Sequence, residues 1–411
     1  MKNEIISVDD HVVEPPTVWT DRLPAARREA GPRVERAYGS VTYPAGRAVF
    51  VEGDGENAGP VAGWTDVWHY EDVRWPLHAG LMVAGDRDRH ELQPVTFDDI
   101  AAGCWQQKPR LAEMDLNHTE ASLCFPTVPR FCGQLFLEAK DRDLALLCVK
   151  AYNDWMIDEW CAGDAYGRLI PLTIVPLWDV ELAVAEVERC AAKGSHAITF
   201  SESPPALGLP SMHSGYWDPL LAACERTDTV VNMHVGSSSR LPKTSDDANL
   251  LVIASLIWQN SVHALVDWVL SGSLARFPDL RVALSEGQVG WIPFVLERMD
   301  VSWELRSNDR ELRALVPERP SSYVADRVFG CIFDDLVGLQ MRDSIGMGQI
   351  CFETDYPHVD STYPHSLETA DRLVQAAGLS ETERWQFLRG NAIRCYGLER
   401  YGITKETQHP R

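Results

Sequence analysis

Short apolar runs of β-forming residues alternate along the chain with longer segments of helical periodicity, a pattern that predicts a parallel sheet covered by helices. The runs fall at 4–9, 120–125, 168–175, 196–202, 229–235, 281–286, 327–333 and 349–355. Apolar positions at helical spacing occupy 141–161, 180–193, 217–226, 247–274, 291–306, 334–345 and 366–377. Eight strands with intervening helices predict an α/β fold closed into a (β/α)8 TIM barrel rather than an open doubly wound sheet. The first strand is also not followed by the GxGxxG turn of dinucleotide-binding sheets.

One stretch breaks the alternation. Residues 15–110 far exceed an ordinary βα connection and are rich in Pro, Gly and Trp, with strand-like pieces at 41–43 and 48–52 around Gly46. We read residues 1–411 as a single barrel domain carrying 15–110 as an ordered insertion after the first strand. The insertion shapes a substrate pocket, forms an oligomer contact, or does both. A barrel of about 250 residues plus such an insertion accounts for the length of 411. The segment 408–411 reads as a loose tail.

Charge narrows the choice of partners. With 60 acidic against 38 basic side chains and a net charge of −22, the chain as a whole opposes binding to nucleic acid or an anionic membrane. No apolar stretch approaches the roughly 18 residues needed to span a bilayer, and the segment after Met1 lacks the apolar core of a signal peptide. The ten cysteines form no CxxC pair, and several lie in apolar runs, as Cys124, Cys148 and Cys351 do. They read as buried thiols of a reducing, cytoplasmic compartment. Cys132 and Cys331 near strand ends lack the His–Asp spacing of a thiol nucleophile.

The informative residues stand at the C-terminal ends of the expected strands, where barrel enzymes carry their active sites. Asp9 and His11 share one face of the first strand, with Asp10 on the other. The fourth strand ends in Glu202, the fifth in His234, the sixth in Glu286 and the eighth in Asp355. Any one of these carboxylates is more often a helix cap or ion-pair partner than a metal ligand. Five strands ending in ligand-type residues are harder to explain structurally, and the intact Asp9, His11, His234 and Asp355 count against a non-catalytic barrel.

Four stretches carry a specific resemblance: 6–15 (ISVDDHVVEP), 232–236 (NMHVG), 277–281 (FPDLR) together with 286–293, and 353–358 (ETDYPH). Through them the chain resembles the amidohydrolase superfamily, in the amidohydrolase-2 branch related to aminocarboxymuconate-semialdehyde decarboxylase. The likeness covers most of 4–15 and 110–400. A further resemblance is to metal-dependent acyl-CoA thioesterases of the superfamily. In that superfamily the first strand offers His-x-His, the fifth and sixth one His each, and the eighth an Asp. Here Asp9 replaces the first His and Glu286 stands where the sixth-strand His is expected. Glu202 occupies the position from which some members bridge two metals.

The set Asp9, His11, Glu202, His234, Glu286 and Asp355 is rich in carboxylates, which favours two divalent ions, iron or manganese, with zinc as an alternative. The other reading is one ion held by Asp9, His11, His234 and Asp355. Two ions would generate a bridging hydroxide for hydrolysis of an acyl bond (amide, ester or thioester) in a hydrophobic carboxylic-acid derivative. In this scheme Asp355, at the family's proton-shuttling position, carries the proton. One ion fits instead a non-oxidative decarboxylase of an aromatic or unsaturated acid, the activity of relatives in this branch.

Arg130 is a candidate for binding a substrate carboxylate or phosphate, or for an ion pair. His213 is a candidate acid or electrophile, or a plain loop histidine. His358 either orients a ligand or caps the next helix. Glu14 is a loop carboxylate within reach of ligation, and Trp64, Trp68, Trp75 and Trp291 are candidates to wall an apolar pocket. His263 reads as structural. The expected partners are a small-molecule substrate, acyl-CoA among the candidates, and further copies of the chain in a homo-oligomer, with 247–274 as a plausible contact.

Overall fold

The computed structural model describes residues 4–43, 48–53, 55 and 58–405. Gly46 and the segment 408–411 lie outside the described residues. The strands, in chain order, are β1 (Ile5–Val12), β2 (Arg33–Thr42), β3 (Val49–Glu52), β4 (Ala62–Tyr70), β5 (Val73–Pro76), β6 (Thr119–Pro126), β7 (Leu169–Ile170), β8 (Thr173–Ile174), β9 (Ala197–Thr199), β10 (Val230–His234), β11 (Val282–Ser285), β12 (Val328–Ile332) and β13 (Ile350–Phe352). The fold is α/β with parallel sheets. One sheet has the order β1-β6-β7 and a second β13-β12-β11-β10-β9-β8, all parallel.

The expected third strand, 168–175, divides into β7 and β8 around Pro171, which has no amide proton to contribute to a ladder. The two parallel sheets approach again past β13. There Thr354 N donates to Ser7 Oγ (2.8 Å), Asp355 N to Asp9 O (3.0 Å) and His11 N to Tyr356 O (2.6 Å). One buried apolar cluster takes Ile6 and Val8 from β1, Leu123 from β6, Ile170, Ala197, Val230, Ala283, Phe329 and Cys351. The alternate residues Val231 and Met233 pack instead with the surrounding helices. A strand of period two, buried on both faces, accounts for the near-continuous apolar runs in the sequence.

Helices cover the sheets at Arg142–Trp155, Val180–Ala192, Asp218–Arg226, Gln259–Leu270, Ile292–Leu305 and Ser366–Ala377. The expected helix at 247–274 is three pieces, the last starting after Gly272, whose φ of 73° is a left-handed conformation that ends a helix. No helix is long and apolar enough to cross a membrane among the described residues. All ten cysteines are free and buried.

The long insertion folds into an antiparallel sheet of order β3-β2-β4-β5. Its Trp19, Trp68, Tyr70, Leu77 and Phe97 pack in one apolar cluster with Val12, Cys124 and Phe136 of the parallel-sheet region. This shared core fixes the small sheet over the C-terminal ends of β1 and β6.

Candidate metal centre

Asp9 and His11 occupy the last turn of the β1 pleat, beside an irregularity of the β1–β6 register between Ser7 and Asp10. Such bulges re-aim side chains next to active sites. Between them Asp10 turns away and accepts from Ser7 Oγ (2.9 Å), Ser122 Oγ, Thr354 Oγ1 (2.5 Å) and Tyr356 N (3.2 Å). Asp10 thus joins β1, β6 and the segment after β13, while Asp9 and His11 face their common centre.

Two groups of donor atoms, each spanning no more than 4.8 Å, overlap at His11. One is Asp9, His11 and His234; the other is His11, Glu286, Asp355 and His358. His11 Nε2 lies 3.6 Å from Asp9 Oδ1 and 3.3 Å from Asp355 Oδ1. His234 Nε2 lies 3.4 Å from Asp9 Oδ2 and 3.6 Å from Glu286 Oε1. The tautomer of His234 follows from chemistry: its Nδ1 sits 2.6 Å from the Val235 carbonyl, so Nδ1 holds the proton and Nε2 presents a lone pair. Phe131 stacks on this ring at 4.2 Å and holds its plane.

The electrostatics suit a cation that these residues do not themselves supply. Burial lowers the proton affinity of His11, and that of His234 to about 3, so both imidazoles are neutral ligands. Burial, followed by repulsion among neighbouring carboxylates, raises Asp9, Glu286 and Asp355 well above the ordinary range. Both carboxylate oxygens of Asp9 and Oδ2 of Asp355 are buried without a hydrogen-bond partner, while Asp355 Oδ1 lies 2.9 Å from His358 Nδ1. Orphaned carboxylates beside two neutral imidazoles fit a hard divalent ion. Glu286 and Asp355 hold left-handed backbones, with φ of 53° and 56°. Such conformations are costly for non-glycine residues and cluster where side chains must be aimed.

Glu202 stands apart from the other expected ligands. It belongs to neither group of converging donors. Its Oε1 accepts from Gly236 N (3.0 Å), Ser238 N (3.3 Å), Ser238 Oγ (2.6 Å) and Asn260 Nδ2 (2.8 Å). Through Oε1 the carboxylate fastens the loop after β10, while its Oε2 is buried without a hydrogen-bond partner. Glu14 is likewise engaged elsewhere, accepting from the amides of Thr127 (3.1 Å) and Val128 (2.8 Å).

His213 stands away from both donor groups. It is half exposed on the outer surface, with Nε2 2.7 Å from Asp267 Oδ1, and takes no part in the cavity wall. His263 is exposed on the helix Gln259–Leu270. His358, by contrast, enters the centre. Its ring stacks on His11 at 3.7 Å, and its Nδ1 lies 2.9 Å from Asp355 Oδ1. The three-residue spacing from Asp355 was the signal for it.

His11, His234, Glu286 and His358 open into a cavity of about 300 Å³. Its walls include Val128, Phe131, Leu135, Leu241 and Ile257, with Trp75 and Leu81 from the insertion. Trp64 is exposed and Trp68 lies in the core, so of the tryptophans singled out in the sequence only Trp75 lines the cavity. Arg130 is on the wall, with Nη1 2.9 Å from Glu138 Oε1 and Nη2 donating to Ser239 Oγ. Sequence reasoning missed Glu353, a buried carboxylate whose Oε2 accepts from Glu286 N (3.2 Å). It also missed His78 and Asp360 on the cavity wall. Glu353 carried a signal in its spacing two residues before Asp355; His78 carried none.

A family model described as Amidohydrolase matches residues 65–398. An amidohydrolase from Mycobacterium avium subsp. paratuberculosis K-10 is similar in structure, with a TM-score of 0.67 and 19% identity, over 97% of this chain and 100% of that one. A 2,6-dihydroxybenzoate decarboxylase from Rhizobium matches with a TM-score of 0.56 and 21% identity, over 72% of this chain and 90% of its own. A dihydroxybenzoic acid decarboxylase from Polaromonas sp. JS666, with bound manganese and the inhibitor 2-nitroresorcinol, gives a TM-score of 0.56 and 18% identity, over 72% and 88%. At these identities the solved structures establish a shared fold.

Proposed function

The chain belongs to the amidohydrolase family, and from that premise we propose that it is a metal-dependent, non-oxidative decarboxylase of an aromatic or unsaturated carboxylic acid. The reading includes closure of the two parallel sheets into one (β/α)8 barrel, supported by the hydrogen bonds between the segment after β13 and β1. The observation that carries the reaction is a pair of donor groups sharing His11, with Glu202 in neither, beside a largely apolar cavity. The acyl hydrolysis expected from a two-ion inventory would draw on Glu202 as a bridging carboxylate, and Glu202 stands outside both donor groups.

Asp9, His11, His234 and Glu286, with Asp355 beside them, would hold one divalent ion, manganese among the candidates. Such an ion supplies positive charge to a bound carboxylate and its neighbouring oxygens. The apolar walls, Phe131, Leu135 and Ile257 among them, shed water around the acid. In that surrounding neutral carbon dioxide is favoured over the charged carboxylate. As the carbon–carboxyl bond breaks, its electron pair stays on the substrate carbon and takes a proton. Asp355 is placed to deliver that proton, and His358 lies against its carboxyl through the Nδ1 contact.

The test is to incubate manganese-loaded protein in D2O with carboxyl-labelled benzoates and cinnamates. Labelled carbon dioxide and a product carrying one deuterium at the vacated carbon are the expected result. Hydrolysis of acyl esters or acyl-CoA, without carbon dioxide from any acid, would overturn the reading.

A further inference from the structure

His78 follows β5 in the insertion and is buried. Its backbone is held by a bridge to Pro94 and by the neighbouring bond from Ala79 N to Gln93 O (2.9 Å). Its Nδ1 lies 3.1 Å from the Glu91 carbonyl oxygen. A carbonyl has no proton to give, so Nδ1 must donate. A neutral imidazole with a proton on Nδ1 has a bare lone pair on Nε2. That Nε2 is buried and has no hydrogen-bond partner.

His78 lines the same cavity as His11, His234, Glu286 and His358, and has Tyr43 and Trp75 edge-on at 6.4 and 6.2 Å. Among the other polar groups of the wall, His11 Nδ1 is also buried without a partner, but that ring belongs to both donor groups of the metal centre. Arg130, Glu138 and Ser239 satisfy one another. Thr127 Oγ1 is also buried without a partner, but a hydroxyl either donates or accepts and so makes no directional demand. His78 makes one: it accepts only. Burial lowers its proton affinity to about 4, which keeps the ring neutral and the lone pair free. A buried acceptor without a donor is costly, and a ligand that supplies the donor recovers the cost.

We propose that His78 is the specificity residue for the substrate body, accepting a hydrogen bond from a hydroxyl or amino group carried on the acid away from its carboxylate. The proposal rests on the decarboxylase reading and narrows its substrate class to acids bearing such a donor. His78 acts by positioning and selection and takes no part in bond breaking.

The test uses binding as its readout. Affinities of benzoate, 4-hydroxybenzoate and 4-methoxybenzoate, and of the corresponding 3-substituted acids, are measured by calorimetry on manganese-loaded protein. For at least one ring position the hydroxyl acid should bind about 3–10-fold more tightly than both its methoxy and its unsubstituted partners. In His78→Phe that preference should disappear, and in His78→Gln, whose amide oxygen can take the place of Nε2, part of it should return. The 15N resonance of His78 Nε2 should move on adding the hydroxyl acid and stay in place with the methoxy acid. If His78→Phe does not fold, the Gln variant and the resonance carry the test. Equal binding of the hydroxyl, methoxy and plain acids, or a preference that persists in His78→Phe, would overturn the role of His78 and leave the decarboxylase reading standing. Failure of every acid to bind would overturn both.

Discussion

The ends of β9 and β11 begin alike and finish differently. Each strand delivers a glutamate at its C-terminal end, Glu202 after β9 and Glu286 after β11, and both strands pair with β10. At the β11 end, a left-handed backbone at Glu286 turns the carboxylate to within 3.6 Å of His234 Nε2. At the β9 end, two amides, a hydroxyl and a side-chain amide have already taken Glu202 Oε1. Position on the sheet brings a carboxylate to the right level. The donors around it decide how much of it remains free for an ion: both oxygens of Asp9, but only Oε2 of Glu202.

That contrast is open to direct attack. The largest effect belongs to Asp355, the proton carrier in the proposed scheme. Asp355→Asn should fold and retain most of its melting temperature but lose about 10²–10⁴-fold in kcat, and turnover near the parent level would move the proton elsewhere. Glu286→Ala comes next: metal affinity by competitive chelation should drop by at least the 10–100-fold typical of losing a partner that merely supports a ligand. An unchanged ion content would erase the distinction between the two strand ends.

Glu202→Ala should do the reverse. It leaves buried donors at Gly236, Ser238 and Asn260 and should cost about 1–3 kcal/mol of stability in denaturant titration, with ion content preserved. Loss of the ion with unchanged stability would make Glu202 a ligand after all.

A pH series on metal-free protein sharpens the same point. Burial raises Glu202 to about 7 and Glu14 to about 8, from an ordinary 4.5. The folded protein therefore binds these protons more tightly than the unfolded chain does. The stabilisation is complete below about 4.5 and is lost as pH rises, through about 7 for Glu202 and about 8 for Glu14, at up to about 1.4 kcal/mol per pH unit for each group. Glu202→Gln should flatten the fall below pH 7, and an unchanged slope would contradict this. The smallest effect is expected of His213→Ala, whose exposed pair with Asp267 should contribute under about 1 kcal/mol, with turnover unaltered.

What the sequence made legible follows the same division. Asp9, His11, His234 and Asp355 were readable because strand alternation and the resemblance both point to their ends, and the structure gathers all four within the two donor groups. The bonds of Glu202 Oε1 were not legible because its partners lie 34 to 58 residues further along, on a loop and a helix whose approach no local pattern encodes. The split of β7 from β8 was written in Pro171 and overlooked in a long apolar run. His78 was out of reach, since its meaning depends on a carbonyl 13 residues away and on a cavity wall built by distant segments.

The network at Asp10 has a consequence for the order of events in the protein's life. Ser7, Ser122, Thr354 and the Tyr356 amide draw together the strand ends that carry Asp9, His11 and Asp355, through bonds that involve no ion. Folding can therefore precede metallation, and the finished chain meets its ion as a receptor with its shape already cast. A chain stripped by a chelator should therefore refill without passing through the unfolded state.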